Sequence, residues 1–150
     1  MLFFLHSKAQ HEGDTTYARC PVSVIDTLTG NDYFIKAQKA TVKSYKDRGD
    51  FTISFEQKSQ FLTIMFNQKK LSSKGKYIIG TDESGKHDVK MKYSFKSGDD
   101  VAYIDVVSGV VNTTYDKSTK LYHIVFAGFI ANMGDTKVNY FKAKGDFYIK

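Results

Sequence analysis

Apolar and polar residues alternate with period two along most of this chain. Phe51, Ile53 and Phe55 alternate with Thr52, Ser54 and Glu56, and Val89, Met91, Tyr93 and Phe95 alternate with Lys90, Lys92, Ser94 and Lys96. Leu62, Ile64 and Phe66 share one side of the run from Phe61 to Phe66. In an extended chain successive side chains point to opposite faces, so each run predicts a strand with one side on a core and one in water. Turn-forming groups separate the runs: Thr29-Gly30-Asn31-Asp32, Asp47-Arg48-Gly49-Asp50, Asn67-Gln68-Lys69-Lys70, Asp82-Glu83-Ser84-Gly85, Ser97-Gly98-Asp99-Asp100, Asp116-Lys117-Ser118-Thr119 and Asn132-Met133-Gly134-Asp135. Such residues tolerate positive φ or bond their own backbone. The predicted strands are 17–26, 33–45, 51–57, 61–67, 76–80, 88–96, 101–107, 109–115, 121–130, 137–143 and 145–149. Over 35–45 a helix competes, because Ala37, Ala40 and Val42 leave the period open, and strand is the reading taken. Short strands at this spacing predict an all-β, single-domain antiparallel β-barrel or sandwich.

Length and composition agree with one domain. The chain has 150 residues, and its aromatic content comes from 12 Phe and 10 Tyr without Trp. No linker, repeat or low-complexity block divides it, and no run approaches the roughly 18 apolar residues of a membrane-spanning helix. Residues 1–9 stand apart. Met1 to Leu5 are apolar, and Ser7-Lys8-Ala9 has the small-x-small form of a cleavage site. This reads as the tail of a secretory signal cut after Ala9, leaving 10–150 as one exported β-domain. A short apolar first strand is the competing reading. Export would place the protein in the periplasm, in the cell envelope or outside the cell. Cys20 is the one cysteine, so no internal disulfide forms. Arg19 before it spoils a lipid-anchor site, and Pro21 after it favours extended backbone, so a buried strand thiol is expected.

The formal charge is +6, and apart from Arg19 and Arg48 all 22 basic residues are lysine. Base and phosphate recognition favours the planar guanidinium fork, so a nucleic-acid partner is not expected. Lysines at alternating strand positions, as in Val89-Lys90-Met91-Lys92-Tyr93, read as a solvated outer face that opposes edge-to-edge aggregation. Attraction to acidic surfaces remains compatible with this charge.

One set of short motifs resembles a known family. Leu62-Thr63-Ile64, Gly75-Lys76-Tyr77-Ile78-Ile79-Gly80, Tyr93, the run from Ser108 to Asp116, the run from Lys120 to Gly128, and Lys144-Gly145-Asp146-Phe147 follow in this order. The order resembles an uncharacterised family of secreted, lipocalin-like β-proteins of Bacteroidota. Asp26-Thr27-Leu28-Thr29-Gly30 looks like that family's first hairpin turn. The resemblance covers roughly residues 20–149 and departs from the pattern at Tyr122-His123, where Ser-Gly is usual, and at Ala143-Lys144-Gly145. It implies a lipocalin-like fold and an exported location, and it brings no catalytic residues.

The remaining chemistry is sparse. His6, His11, His87 and His123 have no metal-site spacing, so no metal or other cofactor is expected. No nucleophile elbow or phosphate-cradling glycine loop occurs, and Cys20 with His123, or a serine with His87, has nothing to favour it as a catalytic pair. The chain is therefore read as non-catalytic. Asp99, Asp100 and Asp105 read as turn and surface carboxylates, Arg48-Gly49-Asp50 as a hairpin turn, and Asn112-Thr113-Thr114 as a sequon inside a strand. Asp14-Thr15-Thr16 and Asp26-Thr27-Leu28 resemble the O-glycosylation triplet of exported Bacteroidota proteins. The aromatic residues either fill the core or line an apolar cavity. On the cavity reading His123, Tyr93, Phe95 and Phe126 are the candidate ligand-binding residues, with His123 as the polar group. The expected function is a non-catalytic binding module for a small apolar molecule or an envelope protein. Its alternative is a structural subunit that docks through an exposed edge or aromatic patch, and an enzyme of another type ranks last.

Overall fold

Alternation becomes strand throughout the computed structural model, which describes residues 10–17, 21–32, 40–47, 50–57, 59–131 and 140–150. The strands are β1 (Gln10–Tyr17), β2 (Val22–Asp26), β3 (Ala40–Asp47), β4 (Asp50–Gln57), β5 (Gln60–Phe66), β6 (Lys74–Ile79), β7 (Val89–Ser97), β8 (Asp100–Asp116), β9 (Leu121–Ala131) and β10 (Tyr140–Ile149). They form one sheet in the order β1-β3-β4-β5-β7-β6-β8-β9-β10-β2. Among the described residues every pairing is antiparallel except the β6–β7 contact at Ile79 and Val89. No helix among them is long and apolar enough to cross a membrane.

Ring contacts show how the sheet is shaped. β4 is third in the order and β10 ninth. Because β7 also pairs directly with β8, the shortest path from β4 to β10 is five steps of about 4.8 Å, which would hold them roughly 24 Å apart in a flat sheet. Instead the Phe55 and Phe147 rings meet edge to face, 4.6 Å between centroids. The sheet is rolled, with its inner face folded upon itself. Among the described residues β1 and β2, the two ends of the order, do not pair, so hydrogen bonds do not close the roll. The inward residues follow the alternation: Ile53 and Phe55 on β4, Leu62, Ile64 and Phe66 on β5, Val89 and Met91 on β7, Ile124 and Phe126 on β9, and Phe147 on β10 are all buried in one cluster. Burying each such side chain contributes about 1.5–3 kcal/mol.

Two glycines let neighbouring chain pack close against them. β8 runs for 17 residues and changes partner, pairing with β7 through Asp100 to Asp105 and with β6 through Gly109 to Thr114. The register shifts between Val106 and Ser108, and Gly109 sits at φ 146°. A Cβ there would collide with the Ala127 carbonyl oxygen, so only glycine lets β9 approach so closely. At Gly145 the Phe126 ring occupies the space of the missing side chain.

The 67–73 loop covers one end of the core. Leu71 is buried there. The Tyr77 hydroxyl accepts from Ser72 N and Gln68 Nε2, both at 2.9 Å, and the Tyr122 hydroxyl donates to the Leu71 carbonyl at 3.0 Å. At the β8–β9 turn, Asp116 Oδ1 accepts from Ser118 N at 2.8 Å and Ser118 Oγ at 2.6 Å. Lys120 completes this turn at φ 58°.

Several sequence expectations are corrected. The strand expected over 17–26 is replaced by β1, ending at Tyr17, and β2, starting at Val22. The strands expected at 101–107 and 109–115 are one strand, because Ser108-Gly109 forms a bulge within β8. Likewise 137–143 and 145–149 are not separated, since Gly145 stays within β10. Residues 40–47 are strand, which removes the helical alternative there. The predicted signal, Cys20, Arg48-Gly49 and the turn at Asn132 to Asp135 lie outside the described residues.

Candidate functional site

The four residues proposed from sequence as a ligand wall do not share a surface. Tyr93, Phe95 and Phe126 belong to the inner face, whereas His123 points outward. On β7, Tyr93 is buried, its hydroxyl accepts from Gln60 Nε2 at 2.7 Å, and its ring lies 5.8 Å from that of Phe95. Burial pushes the Tyr93 phenol above its ordinary value, opposed by the Gln60 hydrogen bond. Phe126 rests on Gly145 and faces Phe147, with ring centroids 6.4 Å apart. Tyr93 and Phe95 are thus engaged with each other and with Gln60, and Phe126 with Phe147 and Gly145.

His123 lies on the outer face of β9, opposite Thr114 of β8 and Tyr148 of β10. Its ring stacks on that of Tyr148, 4.5 Å between centroids and 11° from parallel. Its Nε2 is 2.5 Å from Asp146 Oδ1. This correction follows from parity: in β9, Ile124, Phe126 and Ile130 occupy the inner face, so His123 must face out. His123 is thus no pocket group. It is part of a surface network.

That surface is unusual in the rest of its composition. Cross-strand registers align Ile78, Val110, Ala127 and Lys144 in one outer row, and Lys76, Asn112, Val125 and Asp146 in the next. A third row runs from Lys74 through Thr114 and His123 to Tyr148, and a fourth joins Ser108, Phe129 and Lys142. Ile78, Phe129 and Tyr148 are each 45 % exposed and Val125 is 37 % exposed. Singly exposed apolar residues are ordinary; a contiguous group on one face is not. The group runs from Ile78 on β6 through half-buried Val110 on β8 to Val125, exposed Ala127 and Phe129 on β9. Lys74 and Lys76 stand on one flank and Lys142 and Lys144 on the other, all four exposed. None of these lysines is ion-paired among the described residues. Sequence reasoning missed this face, because β9 carries apolar residues on both of its sides.

A second feature is polar. Where β8 leaves β7 for β6, a cleft of about 220 Å³ is lined by Asp50, Met65, Asn67, Thr81, Asp82, Lys90, Lys92 and Asp105 among others. Lys90 bonds Asp82 at 2.6 Å, which holds the Asp82 carboxyl below its ordinary range. Lys92 lies 3.8 Å from Asp105. These pairs are solvent-exposed and screened. His87 beside them places Nδ1 2.9 Å from the Gly85 carbonyl, while Nε2 is buried 3.9 Å from Asp82 Oδ1. Among the described residues no three His, Cys, Asp or Glu side chains are grouped to hold a metal ion. No family model, curated protein or solved structure matches the chain.

Proposed function

We propose that this protein is a non-catalytic docking module that works through the outer face of β6, β8, β9 and β10. One observation carries the reading: Ile78, Val125 and Phe129 are exposed together on a face flanked by exposed lysines that have no ion pair among the described residues. Leaving such a group in water forgoes about 25 cal/mol per Å² of apolar area, which a partner would recover. The alternative, a small apolar ligand held by Tyr93, Phe95 and Phe126, draws less support because Tyr93 packs on Phe95, and Phe126 on Phe147 and Gly145. The resemblance to secreted lipocalin-like proteins and the signal-like 1–9 segment support a location in the periplasm or cell envelope.

Photocrosslinking in the source cells tests the docking reading. A benzophenone side chain is placed at position 129, and at position 63 on the outer side of β5 as a control. The expected result is a discrete adduct from 129 and none from 63. Equal labelling from both positions, or none from 129, overturns the reading.

A further inference from the structure

We infer that the partner of this face is an anionic lipid surface, an inference that rests on the docking reading above. Three features point to lipid. First, the flanking charges are complementary to one: Lys74 and Lys76 on one side and Lys142 and Lys144 on the other bracket the apolar group, with Asp146 the one carboxylate in the four rows. The lysine flanks lie on β6 and β10, three strand spacings or roughly 14 Å apart. A lysine stem can lie along apolar surface while its ammonium reaches a phosphate.

Second, the flanking cations are all lysine. Specific protein interfaces deplete lysine and favour arginine and tryptophan. Anionic lipid asks only for positive charge near the surface, and lysine supplies that without a fixed geometry.

Third, the face is convex, being the outside of a rolled sheet. A convex strip makes limited direct contact, whereas a stable protein interface needs about 1,000 Å² or more. Attraction between lysines and a charged membrane acts across a Debye length of roughly 8 Å, so it tolerates that curvature. The exposed Phe129, Val125 and Ile78 side chains then insert at the headgroup boundary.

Vesicle flotation tests this with the intact protein. The probes are vesicles of phosphatidylcholine alone and vesicles with about one-third phosphatidylglycerol. The expected result is binding to the anionic vesicles only, lost at about 0.5 M salt, where screening shortens to a few ångströms. Each lysine at such a surface is worth about fivefold, so Lys142→Gln with Lys144→Gln weakens binding roughly 25-fold. Lys92→Gln with Lys96→Gln, which removes the same charge from β7, leaves binding within about twofold of the parent. Phe129→Ser weakens binding while preserving the denaturation midpoint. Absence of binding to anionic vesicles overturns the inference, and so does an equal loss from the β7 pair. A protein adduct from position 129 without vesicle binding overturns lipid as the partner and leaves the docking reading standing. Failure of both experiments removes both.

Discussion

Replacing Phe55 and Phe147 by leucine, singly and together, measures the rolling of the sheet directly. The two residues sit on strands six places apart in the strand order, yet their rings meet at 4.6 Å. Each Phe→Leu change keeps most of the buried apolar volume and costs about 1–1.5 kcal/mol. An edge-to-face ring pair contributes about 0.5–1.5 kcal/mol beyond area burial. The double variant should therefore be less destabilised than the sum of the single variants by about 1 kcal/mol. In a flat or differently rolled sheet, with the two rings far apart, the costs would add to within about 0.3–0.5 kcal/mol. Urea denaturation followed by circular dichroism gives all four stabilities, and an unchanged slope with denaturant shows that the transition keeps its character. Each kcal/mol should lower the thermal midpoint by about 2–4 °C for a domain of this size. Coupling indistinguishable from zero would refute the rolled arrangement.

Two further outcomes follow from local geometry. The buried Tyr93 phenol holds its proton above the ordinary tyrosine value, so above about pH 10 the unfolded chain binds fewer protons than the folded one and stability falls with pH. Alkaline denaturation should show that loss, and Tyr93→Phe should make it shallower; an unchanged profile would count against burial as its cause. Lys120 holds φ 58° at the β8–β9 turn, a conformation that costs a side-chain-bearing residue about 1 kcal/mol. Lys120→Gly should accordingly raise the urea midpoint, and a lowered midpoint would show that the lysine side chain contributes more than its backbone strain.

Strand content was legible because one-sided burial imposes a period of two, and β4, β5 and β7 show it cleanly. The turn after β2 was legible too: Asp26 Oδ1 accepts from Leu28 N at 2.8 Å and Thr29 N at 3.3 Å, the local bonding for which turns select aspartate. The breaks expected at Ser108 and Lys144, each beside a glycine, do not form, because the place of each glycine's missing side chain is filled by a neighbour instead of left free for a turn. At Gly145 the Phe126 ring fills it, and at Gly109 the β9 backbone does. Both neighbours are set by pairing across the sheet, which local sequence does not encode. The orientation of His123 was hidden for a related reason. β9 carries apolar residues on both sides, Ile124, Phe126 and Ile130 inside and Val125 and Phe129 outside, so its alternation does not tell inside from outside. The same doubling of apolar character is what produces the exposed face.

The insertion of β6 between β7 and β8 separates the order of synthesis from the order of assembly. Lys74 of β6 pairs with Thr114 of β8, so β6 leaves the ribosome well before the strand whose edge it joins. At about 5–20 residues per second, the intervening forty residues take roughly 2–8 s to make. β7 appears within that interval but offers β6 only the contact at Val89. The later half of β8 therefore completes a seat for a segment already present, and the nascent chain must carry β6 without its main partner until then.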